Sequence, residues 1–281
     1  MSAATPAATP LRRSRLAEIL EALPHPTRWR HVVGYMLAVY RREWQGSVFS
    51  AFIEPLIVLV GLGIGLGALV GDKASVITGG ASYVAYIAPA LMASQAMNLG
   101  ASEAAWPILA RIAWVRIYHA IVATPLKPAD VMVGATAFIA GKVAFAAAFF
   151  AAVLTVTGIV TSPLGAIGMV GVSTLTGLAF AAPIVAFSVT QKSDQGFAFI
   201  FRLIITPLTF FSGTYFPIES LPLPVQALAW CTPLAHGVAL SRALAFGTPI
   251  TNLWFHLAVL SLWALVGLTA AIVLFRRRML K

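Results

Sequence analysis

Glu54, Lys142 and Arg202 interrupt stretches that are otherwise apolar. A charge at the centre of a membrane helix costs at least ~2.5–3.5 kcal/mol, so each calls for a compensating contact. Two chemistries fit: an ion pair between helices, or contact with a charged headgroup. All three fall in what read as the cytoplasmic halves of their stretches, where long side chains can also reach the interface. We expect Lys142 or Arg202 to pair with Glu54 or Glu103. For nucleophilic chemistry the chain offers Ser212-Gly213, with His256 downstream as a base. A nucleophile needs its base within hydrogen-bond reach, and the glycine that an intramembrane serine protease carries two positions before its serine is here Phe210. The single cysteine, Cys231, excludes an intramolecular disulfide and a cysteine-built zinc site. The sequence has no HExxH, no carboxylate cluster and no Walker A pattern, so we expect no metal and no nucleotide on this chain.

The elements that position these residues are membrane helices. The chain is 59% hydrophobic and 10% charged, with a mean hydropathy of +0.89, whereas a soluble domain carries about 25% charged residues. Apolar runs long enough to cross a bilayer core recur along it. A net charge of +10 would by itself admit a nucleic-acid partner, but its distribution points to topology. Arg12, Arg13, Arg15, Arg28, Arg30, Arg41 and Arg42 precede the first span, and Arg276, Arg277, Arg278 and Lys281 close the chain. Basic residues flanking spans are retained in the cytoplasm, beside anionic lipid. The partner implied is the bilayer, not nucleic acid.

We expect an all-α polytopic protein: a flexible cytoplasmic arm over 1–27, without the apolar core of a signal peptide, and a single membrane domain over 28–281. Within the arm, 11–23 has amphipathic helical spacing. The segment 29–44 mixes aromatics, aliphatics and arginines, the pattern of a helix lying in the interface. Six spans follow, near 48–70, 82–104, 130–159, 166–189, 196–215 and 253–275. Segments assigned to the cytoplasm then hold all Lys/Arg except Lys73 and Arg242 outside and Lys142 and Arg202 within spans. Both termini are therefore expected in the cytoplasm. The run GLGIGLGALVG over 61–71 has the four-residue glycine spacing of close helix packing rather than a nucleotide loop.

Two segments break the pattern. The loop after the second span, about 105–129, carries Arg111, Arg116 and Lys127. Its stretch 111–123 has helical spacing that puts Ile112, Val115, His119 and Val122 on one side, Thr124-Pro125 ends it, and Asp130 can cap the next span. Such a helix can dock on a soluble partner or lie on the membrane. The second segment, FFSGTYFPIESLP over 210–222, is rich in breakers. It leads into two short apolar helices separated by Thr232-Pro233. Neither is long enough to span, so the region 216–247 is expected to dip into the outer leaflet and return. Glu219, His236 and Arg242 would lie near its rim, marking the water boundary, capping helices or lining a gate or exit.

Several of these pieces occur together in one family. EPLIVLVGLGIGLGALVG (54–71), VATPLKPADVMVG (122–134), LTGLAFAAP (175–183), ITPLTFFSGTYFPIESLP (205–222) and PLAHGVALSRAL (233–244) stand in family order over roughly residues 30–280. The chain resembles type-2 ABC transporter permeases, most of all the NodJ-like branch that exports lipo-oligosaccharides. The resemblance implies a multi-pass permease of the bacterial inner membrane. It binds no cofactor itself and pairs with a second permease copy or a related chain, above a cytoplasmic ABC ATPase dimer that uses ATP and Mg. It implies a coupling region over 112–124, carried by Ile112, Val115, Arg116, His119, Thr124 and Pro125. Ser212, Gly213, Pro217, Glu219, Pro222, Pro233 and His236 would form an exit region on the outer side. Export of a drug by a daunorubicin-resistance type of permease is the alternative within transport. An intramembrane protease is a remote alternative. A channel is another, and no selectivity filter or ring of pore charges supports it.

Overall fold

A computed structural model of the chain describes residues 24–42, 53, 57, 60, 61 and 82–279, and every regular element among them is helical. Helix α1 spans 29–42. Helix α2 (Tyr83–Leu109) continues into a π-helical turn, Ala110–Trp114, and is followed by the short α3 (Ile117–Val122). Then come α4 (Pro128–Val156), α5 (Pro163–Thr190), and α6 (Gln195–Ile200), which runs through the π segment Phe201–Ile205 into α7 (Thr206–Phe211). A 3-10 turn, Ile218–Ser220, precedes α8 (Leu223–Trp230), α9 (Pro233–Phe246) and α10 (Leu253–Met279).

Local chemistry sets the boundaries. The Ser82 and Ser162 side chains cap α2 and α5, each accepting from a backbone N–H at 3.3 Å. Asp130 closes the start of α4 by accepting from the Lys127 N–H at 3.0 Å, the cap expected from the sequence. Pro128, Pro163 and Pro233 each occupy the first turn of a helix, where a missing N–H costs nothing. Pro207 lies deeper, more than three turns into the run from Gln195, and lacks the N–H that would close the preceding turn. The chain widens there into its π segment, stitched by the Thr206 hydroxyl donating to the Phe201 carbonyl at 2.8 Å.

Helices α4, α5 and α10 are long and apolar enough to cross a membrane, with 39%, 61% and 17% of their most apolar windows buried inside the protein. That gradient makes α5 the central helix and puts α10 on the rim. Helix α2 reaches α5 backbone to backbone: a Cβ on Gly100 would stand 2.5 Å from the Gly177 carbonyl oxygen. Only glycine permits that approach, and close approach is what holds helices together where lipid is as apolar as the side chains. The segment 24–42 is bound to the start of α4 and the loop before it. The His25 N–H donates to Asp130 at 2.6 Å, Arg28 to the Pro125 carbonyl at 2.9 Å, and Val32 presses on Gly134. The expected interfacial helix is thus docked on protein along its Val32–Met36 side. Of the first expected span only residues 53, 57, 60 and 61 are described; Glu54 and residues 1–23 lie outside the described residues.

Candidate functional site

Helix α2 carries Ser94, Gln95, Asn98, Ser102 and Glu103 at helical spacing, so they share one face. With α4 and the α6–α7 run, this face bounds a cavity of ≈ 570 Å³, within the range of small-molecule sites. Val143, Ala146, Ala147 and Phe150 of α4 make its apolar wall, and Thr206, Thr209 and Phe210 close the third side. Some of the α2 polar groups are partly satisfied by their own helix: Asn98 donates to the Ser94 carbonyl at 3.0 Å and Ser102 donates to the Asn98 carbonyl. Their remaining donors and acceptors, and the Gln95 amide, face the space. The sequence reading missed this stripe. Its signal was there: four uncharged polar residues and an acid, spaced at about four residues, inside an apolar span.

The ionisable residues sort differently. Lys142 of α4 donates to Glu103 Oε1, and the two side chains keep 12% and 19% of their exposure. The Lys142 ammonium also sits 4.8 Å from the centre of the Tyr40 ring, which meets Phe138 edge-on. The expected pairing therefore forms between Lys142 and Glu103. Arg202 lies exposed in the π segment and has no acidic partner among the described residues.

Two contacts tie together the ends of the elements around the cavity. On the side toward the loop after α2, Trp106 packs on Phe197 and Phe201, at 5.5 and 4.9 Å between ring centres. At the other end, Arg242 of α9 clamps the loop after α7. It donates to the Gly213 carbonyl at 2.6 Å, to Thr214 at 3.2 Å and to the Tyr86 carbonyl at 3.2 Å, and its guanidinium lies 3.7 Å from the centre of the Tyr86 ring. Gly213 takes φ +84° there, a conformation that side chains disfavour, and Ser212 and Thr214 beside it are buried. Of the three residues expected at the rim, two are drawn inward. Arg242 is a half-buried clamp and His236 is fully buried, because breaker-rich backbone in this region leaves carbonyls and N–H groups that need partners. Glu219 is exposed in its 3-10 turn, held between Pro217 and Pro222.

His256 is not placed to activate Ser212. Its Nδ1 faces His236 Nδ1 at 2.7 Å, and His236 Nε2 is 2.9 Å from the Trp230 carbonyl. This pair ties α9 to α10 beside Pro233 and Trp230.

The loop after α2 departs from the expected single helix over 111–123. The π turn at 110–114 puts the side chains out of phase with α-helical spacing, and Arg116 turns the chain with φ +55°. Ile112 and Tyr118 go inward, Tyr118 meeting Phe275 edge-on at 5.9 Å. Burial pushes the Tyr118 phenol up to about 12, so it stays neutral and acts as an apolar anchor. Val115 and His119, expected beside Ile112, face outward with Trp114, Arg116, Thr124 and Pro125, while Val122 is half-buried. The exposed surface is therefore a corner, with Trp114 and Val115 58% and 63% exposed.

Comparisons with known proteins agree with this arrangement. Residues 27–246 match the family model described as ABC-2 type transporter. The chain is similar to Nodulation protein J of Rhizobium leguminosarum bv. viciae, 33% identical over 252 residues covering 87% of this chain and 95% of that protein. It is also similar to the proteins of that name from Rhizobium meliloti (strain 1021), at 32% over 257 residues, 87% of this chain and 94% of that one. The one from Sinorhizobium fredii (strain NBRC 101917 / NGR234) is 30% identical over 273 residues, 95% of this chain and 98% of that one. With its apolar helices and no nucleotide motif, the chain belongs to the ABC-2 type transporter family, as a multi-pass membrane permease subunit without an ATPase domain.

Proposed function

We propose that this permease exports an amphiphile of the lipid-linked oligosaccharide kind, out of the cytoplasm or inner leaflet across a bacterial inner membrane. One observation carries the reading: a cavity with hydroxyls and amides on its α2 wall and aliphatic groups on its α4 wall, the two-sided lining that a sugar headgroup with an acyl chain requires. The NodJ-like resemblance over most of the chain supports the same substrate class. In this reading the chain crosses the membrane six times with both termini in the cytoplasm, and α8 and α9 re-enter from the outer side. The corner around Trp114, Val115, Arg116 and His119 meets a cytoplasmic ABC ATPase dimer, which binds ATP and Mg, while this chain binds no cofactor. Two permeases pair. The clamp at Gly213 and the turn from Pro217 to Pro222, with Pro233 and His236, form the exit. ATP binding below moves the corner, and the α6–α7 wall yields to pass the substrate outward.

The test is transport by the complex in proteoliposomes, with ATPase recovered by gentle purification from native membranes. ATP-dependent movement of a labelled lipo-oligosaccharide is expected, lost in Ala146→Phe, which fills the cavity. Loss of ATPase recovery is expected in Val115→Glu/His119→Glu with the permease still folded. Movement of a labelled anthracycline in place of the glycolipid would move the assignment to drug efflux, and recovery of no ATPase would overturn the exporter reading.

A further inference from the structure

Among the described residues lining the cavity, Glu103 is the charged one. Its partner Lys142 is not part of that lining. The Lys142 ammonium turns away, toward Glu103 on one side and the Tyr40 ring face on the other. The pair is thus a fixed dipole with its negative end at the cavity. Both side chains are mostly buried, and fields there are screened less than in water. The other polar groups on this wall, Gln95, Asn98 and Ser102, are neutral and offer both donors and acceptors. A carboxylate accepts hydrogen bonds and attracts cations, and it repels anionic groups brought close to it.

We infer that Glu103 sets the charge selectivity of this cavity, admitting neutral hydroxyl-rich or cationic headgroups and rejecting anionic ones. The inference rests on the cavity being the substrate path. A bacterial inner membrane is rich in anionic phospholipid, which presents acyl chains to the same apolar wall as a substrate would. An acid on the polar wall separates the two by headgroup alone. Lys142 has a positioning role: its ammonium, held between Glu103 and the Tyr40 ring, keeps the carboxylate aimed across the wall.

The test uses the full chain in nanodiscs of neutral phosphatidylcholine. Three amphiphiles share one fluorescent twelve-carbon chain and carry a glucosyl, a trimethylammonium or a sulfate head. Binding in excess of that to Ala146→Phe is the cavity signal. The glucosyl and trimethylammonium probes are expected to bind, with the sulfate weaker by about tenfold or more. The charge-swapped variant E103K/K142E keeps the pair and turns its positive end inward, so the order of the two charged probes inverts. E103Q/K142Q removes both charges, and the two then bind alike; this variant decides the matter if the swap does not fold. Equal binding of the charged probes to the native chain, or an unchanged order in the variants, overturns the selectivity. If Ala146→Phe leaves all three signals intact, the path reading itself fails and the selectivity with it.

Discussion

Lys142 and Glu103 meet from positions 39 residues apart in the chain, and the contact decides what each residue can be exchanged for. Lys142→Met would leave the Glu103 carboxylate without its partner among apolar groups. Breaking a buried pair costs ~3–5 kcal/mol, and the residual exposure of both side chains puts this one at about 3 kcal/mol. The double variant with Glu103→Gln should recover most of that loss. Thermal unfolding of the purified chain measures both, and equal losses in single and double variants would show that the pair is not coupled. The pairing was legible in the sequence because four candidates for two partners is a short list, and charge in lipid must be compensated. The His236–His256 contact was not: a histidine in an apolar run has no spacing rule that names its partner. The partners of Arg242 were illegible for a related reason. A basic residue on the side with few charges looks like a surface marker until the carbonyls of Tyr86, Gly213 and Thr214 are seen around it.

Helix extents followed the apolar runs closely, since α2, α4 and α5 begin at Pro, Ser or Asp caps that the sequence displays. The break at Thr232-Pro233 was legible in the same way: α8 ends at Trp230 and α9 begins at Pro233. The loop after α2 was not, because the period that predicted its face assumes 3.6 residues per turn, and the π turn before Arg116 breaks that count. The α2–α5 crossing gives a paired prediction at this scale. Gly100→Val would drive a side chain into the Gly177 backbone, an overpacking cost of at least about 3 kcal/mol because backbone cannot step aside. Gly141→Ala, where a Cβ would meet nothing within 4 Å, should be neutral or stabilising by up to about 1 kcal/mol. Melting temperatures of the two variants check this, and a Gly100→Val protein as stable as the native chain would contradict the crossing.

For the molecule as a whole, the asymmetry of its basic residues set the expected orientation, and the lone cysteine can report on it without any mutation. Cys231 is exposed between α8 and α9, the pair proposed to re-enter from outside. A membrane-impermeant maleimide should label it in intact spheroplasts; labelling only after permeabilisation would reverse the topology. The cavity wall was half legible at this scale. The acid was recognised as a candidate partner, but the neutral polar stripe beside it went unread because uncharged residues cost an apolar span less and so stand out less. The helices around that cavity also differ in how firmly they are held. Helices α2 and α5 are locked at Gly100–Gly177, and α4 is tied to α2 by Lys142. The run from Gln195 to Phe211 instead shows Phe199, Leu203, Ile204 and Phe211 on its outside, is fastened near its ends at Trp106 and Tyr215, and has its regular ladder interrupted in the middle. Mechanical compliance is therefore concentrated in one wall, a hinged shutter on a stiff frame, and under the proposed function cargo of varying girth is accommodated by that wall bowing while the α2 face stays in register.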